Sequence, residues 1–278
     1  MISVFLVVDI IQLTYKIPSM LLMILSLYII IKKIKNKNVH FNKQFYTIIV
    51  CKIINEIVYI ITIFIFIKLP KWRFFDNFWE NNYWAATIFL ILTTQQATFM
   101  FLITLLTSIN RYIAVKYPLS YKIFFSKSKI IIVLLFFIIL STMIGLGNIP
   151  FNPTYKKSNI FNCFAPTLKS KNVIYYQIFY TVFLFGIISI ATCTFNAMAI
   201  KTLKKHNQVG NKYKKELYYV KYSIFIFITL FIVEAFFFCR LTALIYGTKS
   251  FLYIMYFLHI VAFDLTSVGD FYFLIYSW

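Results

Sequence analysis

The chain has 278 residues, 61% of them apolar or aromatic and only 13% charged, with a net charge of +20. An ordinary soluble domain carries about 25% charged residues, and a soluble fold of this length cannot hide so much apolar surface, which argues against a soluble enzyme. Disorder needs low hydrophobicity, a collagen-like repeat needs far more than 6 glycines and 6 prolines, and a lipid bilayer is the solvent that suits the composition.

A membrane-spanning helix needs about 20 mostly apolar residues. Seven runs meet that length: residues 9–31, 45–67, 84–110, 129–149, 174–200, 219–246 and 251–275. Ile, Phe and Tyr favour strands, but every run far exceeds the roughly 9–11 residues of a membrane strand and lacks its alternation. The expected fold is therefore an all-α membrane protein, a single seven-helix bundle over residues 1–278.

Each run has its own polar content. The first contains Asp9, Lys16 and Pro18 and is the weakest. No basic segment or small-residue cleavage site precedes it, so it is expected to act as its own insertion signal. The second contains Lys52 and Glu56, spaced i,i+4 and so able to neutralise each other on one face. The third contains the densest polar patch, Thr93, Thr94, Gln95, Gln96 and Thr98. The sixth contains Glu234 near mid-span and Arg240 about 9 Å farther along. The seventh contains His259, Asp264 and Asp270, and the sequence ends at Trp278 just beyond it, so neither a tail nor an eighth helix is expected unless the sequence is cut short.

The connections fix an orientation. Lys and Arg number 17 in or beside the connections 32–44, 111–128 and 201–218, and 8 in or beside 68–83, 150–173 and 247–250. The positive-inside rule places the first set in the cytoplasm, the N-terminus outside and, after seven crossings, the C-terminus inside. Basic residues placed between apolar runs read as topology signals beside anionic lipid rather than as a nucleic-acid surface. Cys51, Cys163, Cys193 and Cys239 have no metal-ligand spacing and form no Cys-x-x-Cys. Trp72, Trp79, Tyr83, Trp84, Tyr218, Tyr219 and Trp278 fall near span ends, where interfacial anchors belong.

One constellation points to function. At the end of the third run stands Asn110-Arg111-Tyr112, followed by Pro118-Leu119-Ser120-Tyr121. This resembles the rhodopsin-like G-protein-coupled receptors, whose third helix ends in an acid-Arg-Tyr triplet followed by Pro-Leu-x-Tyr in the second cytoplasmic loop. The resemblance implies that Arg111 meets a heterotrimeric G protein in the active state and that Pro118, Leu119 and Tyr121 pack on its surface. A guanidinium with five fixed donors is suited to exchanging partners between two helix arrangements.

Departures narrow the resemblance. Asn110 replaces the acid, the sixth run has no Cys-Trp-x-Pro, and the seventh has no Asn-Pro-x-x-Tyr. Ala85 and Ala86 stand where those receptors carry a cysteine, which deprives Cys163 of the disulfide partner that the resemblance would supply. The sequence is more similar to the nematode serpentine receptors of class gamma, the Srg-type chemoreceptors. That group combines an Asn-Arg-Tyr-like triplet and a Pro-Leu-x-Tyr loop with a seventh-helix element like Asp264-Leu265-Thr266-Ser267, although Asp270-Phe271 stands where a proline is usual.

The membrane acids and the third-helix patch are the candidate ligand contacts. Gln95, Gln96, Phe99, Tyr180, Glu234, His259 and Asp264 are expected to line a mixed aromatic and polar cavity for a small chemical ligand. Helix glue is the other reading of the amides and hydroxyls, and Lys52, Glu56 and Asp270 are the remaining intramembrane polar groups. The expected function is a chemosensory G-protein-coupled receptor in the plasma membrane or a sensory cilium, without a cofactor. The alternative is an odorant-receptor-type ligand-gated channel of inverted topology. A transporter would want paired helix breaks, which Gly145, Gly147 and Gly186 do not form.

Overall fold

No water reaches a backbone N–H in hydrocarbon, so long apolar runs close their hydrogen bonds within themselves as helices. The computed structural model describes residues 4–36, 43–158, 163–168, 170, 172–206, 213–246 and 249–276, and it is mostly helical. Helix α1 is Val4–Lys35 and runs through Pro18. Helix α2 is Lys43–Ile63, extended by a π turn at Phe64–Lys68 and a last turn at Leu69–Lys71. Short α3 is Asp76–Asn81, and α4 is the long Tyr83–Lys116. Short α5 is Tyr121–Phe124, and α6 is Lys127–Leu146. Helix α7 is Val173–Ile178, a π turn at Phe179–Leu184, then Phe185–His206. Helix α8 is Tyr213–Tyr246. Helix α9 is Lys249–Asp264, a π turn at Leu265–Gly269, then Asp270–Tyr276.

Six segments among the described residues are long and apolar enough to cross a membrane: Val7–Lys35, Lys43–Lys71, Tyr83–Lys116, Lys127–Phe151, Val173–Lys205 and Ile224–Thr242. The seventh predicted run is helical in α9 but is not one of these six. Most helices run past their predicted limits. The third, expected to end at 110, continues for about 9 Å more, because Ile113, Ala114 and Val115 carry the apolar pattern on. It stops at Lys116, two residues before Pro118, whose ring disfavours a helical predecessor. Arg111 and Tyr112 thus stand on the helix and not at its end.

A purely helical chain was expected, yet residues 150–173 contain a hairpin. Strand β1, Pro153–Ser158, pairs antiparallel with β2, Cys163–Leu168, in the register Pro153↔Leu168 to Ser158↔Cys163. The side chain of Cys163 lies outside the described residues.

The chain forms two compact units, Met1–Met100 with Phe136–Val173, and Phe101–Leu135 with Ile174–Trp278. In the first, α1 packs against α2 through a narrow buried stripe of Asp9, Gln12, Ser19, Met23 and Ile30. The 3-4-7 spacing of that stripe keeps it on one face of the helix. The hairpin and α3 cover the adjoining helix ends. Trp79, Ala85, Ala86 and Tyr155 form a buried cluster, with Phe66, Leu69 and Phe164 packed against it. Trp79 donates its indole N–H to the Phe74 carbonyl at 2.7 Å, and Tyr155 donates its hydroxyl to the Phe66 carbonyl at 2.9 Å. Burial pushes the Tyr155 phenol above its usual range, which keeps it protonated as a donor. Trp79, expected as an interfacial anchor, is therefore a core residue. Trp84 and Tyr83 remain exposed as anchors should.

The core of the second unit is aromatic. Phe101 of α4 stacks on Phe185 of α7 with ring centroids 4.3 Å apart. Phe185 meets Phe237 of α8 at 5.5 Å, and Phe236 meets Phe263 of α9 edge-on at 5.5 Å. Phe225 of α8 stacks on Phe273 of α9 at 4.3 Å.

Candidate functional site

The Asn-Arg-Tyr triplet lies in the second unit, on the last turns of α4. Asn110 is 2% exposed, and its amide donates to the Tyr121 hydroxyl at 2.9 Å. Tyr121 opens α5 and is itself buried. The first and last residues of the predicted coupling segment are thus joined, and this bond closes the connection 117–120 into a short loop. Without an acid at position 110, the amide serves as a donor to the loop instead of an acceptor for the arginine.

Arg111 takes a different partner. Its guanidinium carbon sits 4.3 Å from the centroid of the Tyr222 ring on α8, and Tyr222 is fully buried. A cation over an aromatic face is stabilised by about 0.5–2 kcal/mol, most where water is excluded. Tyr112 packs its ring 5.7 Å from Phe195 of α7 and accepts a hydrogen bond from Lys116 at 2.6 Å. Adjacent residues of the triplet thus reach three elements: α5, α8 and α7.

The loop itself is apolar and open. Leu119 is 96% exposed, Ile123 68% and Phe124 52%, and Pro118 is exposed beside them. Tyr121 is buried between them, so one face of the segment is anchored and the other is bare.

The candidate ligand contacts divide between the units. Gln95 and Gln96, though adjacent, face different helices of the first unit. Gln95 donates to Thr142 of α6 at 3.1 Å. Gln96 donates to Thr62 of α2 at 3.0 Å, while its backbone carbonyl accepts from Asn55 at 3.2 Å. Asn148 donates to Thr94 at 3.0 Å. The polar patch of α4 joins three helices of this unit, as interhelical amides and hydroxyls do in lipid. Phe99 is buried in the same unit.

In the second unit Tyr180 is buried in the α7 π turn, with its ring 5.8 Å from Phe185. Glu234 accepts from the Ser189 hydroxyl at 3.2 Å, which links α8 to α7. Asp264 immediately precedes the α9 π turn, and Asp270, 4% exposed, immediately follows it. His259 lies on α9, but its side chain is outside the described residues, as are those of Tyr218, Tyr219 and Trp278. Lys52 and Glu56 are both 4% exposed, one turn apart on α2.

Two features escaped the sequence reading. Tyr222 is one of 21 tyrosines, and nothing in its spacing singles it out. The other feature is a charged cluster. Asp9, fully buried on α1, holds Lys68 through one carboxylate oxygen and Lys71 through the other, the latter at 2.7 Å. The Trp72 indole N–H reaches the second oxygen at 3.3 Å, and Lys68 also donates to Gln12 at 2.5 Å. A signal for it was present in the sequence. An acid inside an apolar run needs a basic partner, and Lys68 and Lys71 fall at the same end of the neighbouring run.

No curated protein sequence matches the chain. A family model described as Srg family chemoreceptor matches residues 9–277. That match takes in every long helix, the triplet and its loop, the hairpin and the acidic element of α9. The chain is a membrane chemoreceptor, and it belongs to the Srg family.

Proposed function

We propose that this chemoreceptor crosses the plasma membrane seven times as a single receptor domain, with its N-terminus outside. In this reading it binds a small chemical ligand between its helices and activates a heterotrimeric G protein through the end of α4 and the loop that follows. The observation that carries the reading is the arrangement of the Asn-Arg-Tyr segment. Asn110 and Tyr121 fix the base of a loop whose Leu119 is 96% exposed. A bare leucine at a loop tip beside a basic helix end is the chemistry of a docking knob. Arg111 beside it rests on Tyr222 of α8, so movement of α8 would free the guanidinium for a partner.

Seven crossings follow if α9 is the seventh, and the excess of Lys and Arg in the connections 32–44, 111–128 and 201–218 supports a cytoplasmic position for Arg111 and Leu119. The ligand contacts proposed are those of the second unit, Tyr180 on α7, Glu234 on α8, and His259 and Asp264 on α9. Lys52, Glu56 and Asp270 are support in the same reading.

The test is a G-protein reporter assay in cells that display the receptor, stimulated by an activating chemical mixture. Arg111→Ala is expected to abolish the response, and Leu119→Ala to reduce it severalfold, with surface display of both unchanged. Full responses from both displayed variants would refute coupling through this segment.

A further inference from the structure

The short helix α5 is anchored on one face and bare on the other. Tyr121 and Phe125, one turn apart, are buried, and their rings stack with centroids 5.5 Å apart. Asn110 holds the Tyr121 hydroxyl. The positions between them, Lys122, Ile123 and Phe124, are all exposed. Phe124 has its ring centroid 6.5 Å from that of Tyr117, which is exposed as well. Lys129, in the first turn of α6, donates its ammonium to the Ile123 carbonyl at 2.9 Å. The outward side chains are therefore presented by a turn braced at both ends and not by a loose loop.

Two properties of this face decide what it fits. The first is charge. Lys122, Lys127 and Lys129 are exposed, and no Asp or Glu occurs anywhere in residues 81–215. The second is place. The helix that follows, Lys127–Phe151, is long and apolar enough to cross a membrane, and its Ile131, Ile132 and Leu135 are exposed in the same unit as α5. Ile131 lies only about 3 Å along the helix axis from Lys129. The bare face of α5 thus adjoins the start of the outward apolar band of α6, at the boundary where lysines meet lipid headgroups. Large apolar side chains beside basic ones at that depth are the pattern of an interfacial anchor, and acidic headgroups attract such lysines.

We propose that Tyr117, Ile123 and Phe124, with Lys122, Lys127 and Lys129, form a docking face for the acidic phospholipids of the bilayer that holds the receptor. The three apolar side chains enter the headgroup boundary, and the ammonium groups meet the phosphate and carboxylate oxygens of the lipid. The contact fixes α5 against the membrane and, through the bond between Asn110 and Tyr121, fixes the end of α4. A protein partner would have to bring its own acids and apolar surface to this face, whereas an acidic leaflet already lies beside α6. Leu119 is no part of the face, and the proposal does not depend on G-protein coupling.

Hydrogen–deuterium exchange of the full-length protein in nanodiscs, read over residues 117–130, tests it. One series uses phosphatidylcholine alone, and in the other phosphatidylserine replaces part of it. Both leaflets of a disc carry the acidic lipid, so the result does not depend on which way the receptor is inserted. Exchange is expected to slow in the phosphatidylserine discs, by about fivefold for each lysine engaged, and high salt is expected to reverse the slowing. Lys122→Gln combined with Lys127→Gln is expected to remove most of the difference, and arginine at the same two positions to retain it. Ile123→Ser combined with Phe124→Ser is expected to weaken the slowing although every lysine remains. Equal exchange of the unaltered protein in the two kinds of disc would overturn the proposal without recourse to any variant. A full phosphatidylserine effect in the glutamine variant would overturn it as well. Slowing that appears only in discs holding two receptors, whatever the lipid, would overturn it and assign the face to a second copy of the chain.

Discussion

At the scale of single residues, the site turns on two neighbours with different partners. Asn110 gives its amide to Tyr121, and Arg111 gives its charge to the face of Tyr222. In the proposed receptor the second contact ties α4 to α8 in one helix arrangement. A desolvated cation–π contact of about 2 kcal/mol shifts a two-state equilibrium roughly thirtyfold. Tyr222→Leu removes the ring and is expected to raise ligand-free signalling, measured per receptor at the cell surface. Tyr222→Phe keeps the ring and is expected to leave that basal signal near its original level. Equal basal activity in the two variants would separate Arg111 from any such latch. Arg111, Tyr112 and the Pro-Leu-x-Tyr loop were legible in the sequence because their order and spacing are specific. Tyr222 was not, because a ring contact between distant helices leaves no periodic trace among so many aromatic residues.

At the scale of elements, the long helices were legible because lipid allows few alternatives to them. Three details were not. A π turn inserts one extra residue and rotates everything beyond it by about 100°, and neither length nor mean hydropathy records it. The turns at Phe64–Lys68, Phe179–Leu184 and Leu265–Gly269 fall at Lys68, Tyr180 and the stretch between Asp264 and Asp270, where candidate polar or aromatic groups are concentrated. The hairpin was hidden because Lys156, Lys157 and the prolines 153 and 166 make its strands read as a polar loop. Its attachment is packing that no local pattern encodes: Ala85 and Ala86 are small enough to admit Trp79 and Tyr155.

Helix contacts give a sharper test at this scale. A Cβ on Gly145 of α6 would lie 2.6 Å from the Ile91 carbonyl oxygen of α4, a backbone atom that cannot rotate away. A Cβ on Gly186 of α7 would meet nothing within 4 Å. Gly145→Ala must push α6 off α4 and is expected to cost about 1–3 kcal/mol. Gly186→Ala fills open space and is expected to be neutral or slightly stabilising, since alanine restrains the unfolded chain. Thermal unfolding of the two purified variants checks the pair, and equal midpoints would refute the close approach of α4 and α6.

At the scale of the whole molecule, sidedness decides which partner each end of the chain can meet. The membrane class was legible from composition alone, and the family match over residues 9–277 bears out the resemblance to the Srg-type chemoreceptors. Orientation rests on the distribution of lysine and arginine, 17 in one set of connections against 8 in the other. Translocating a basic segment against the membrane potential is unfavourable, so the richer set is expected to stay in the cytoplasm. An epitope tag placed before Met1 and stained on intact and permeabilised cells reads the result directly. Staining of intact cells would support a cytoplasmic position for Leu119 and Arg111, which the proposed coupling requires. Staining only after permeabilisation would invert that assignment. It would expose the Leu119 loop to the exterior, rule out coupling through it, and leave the inverted channel as the surviving alternative.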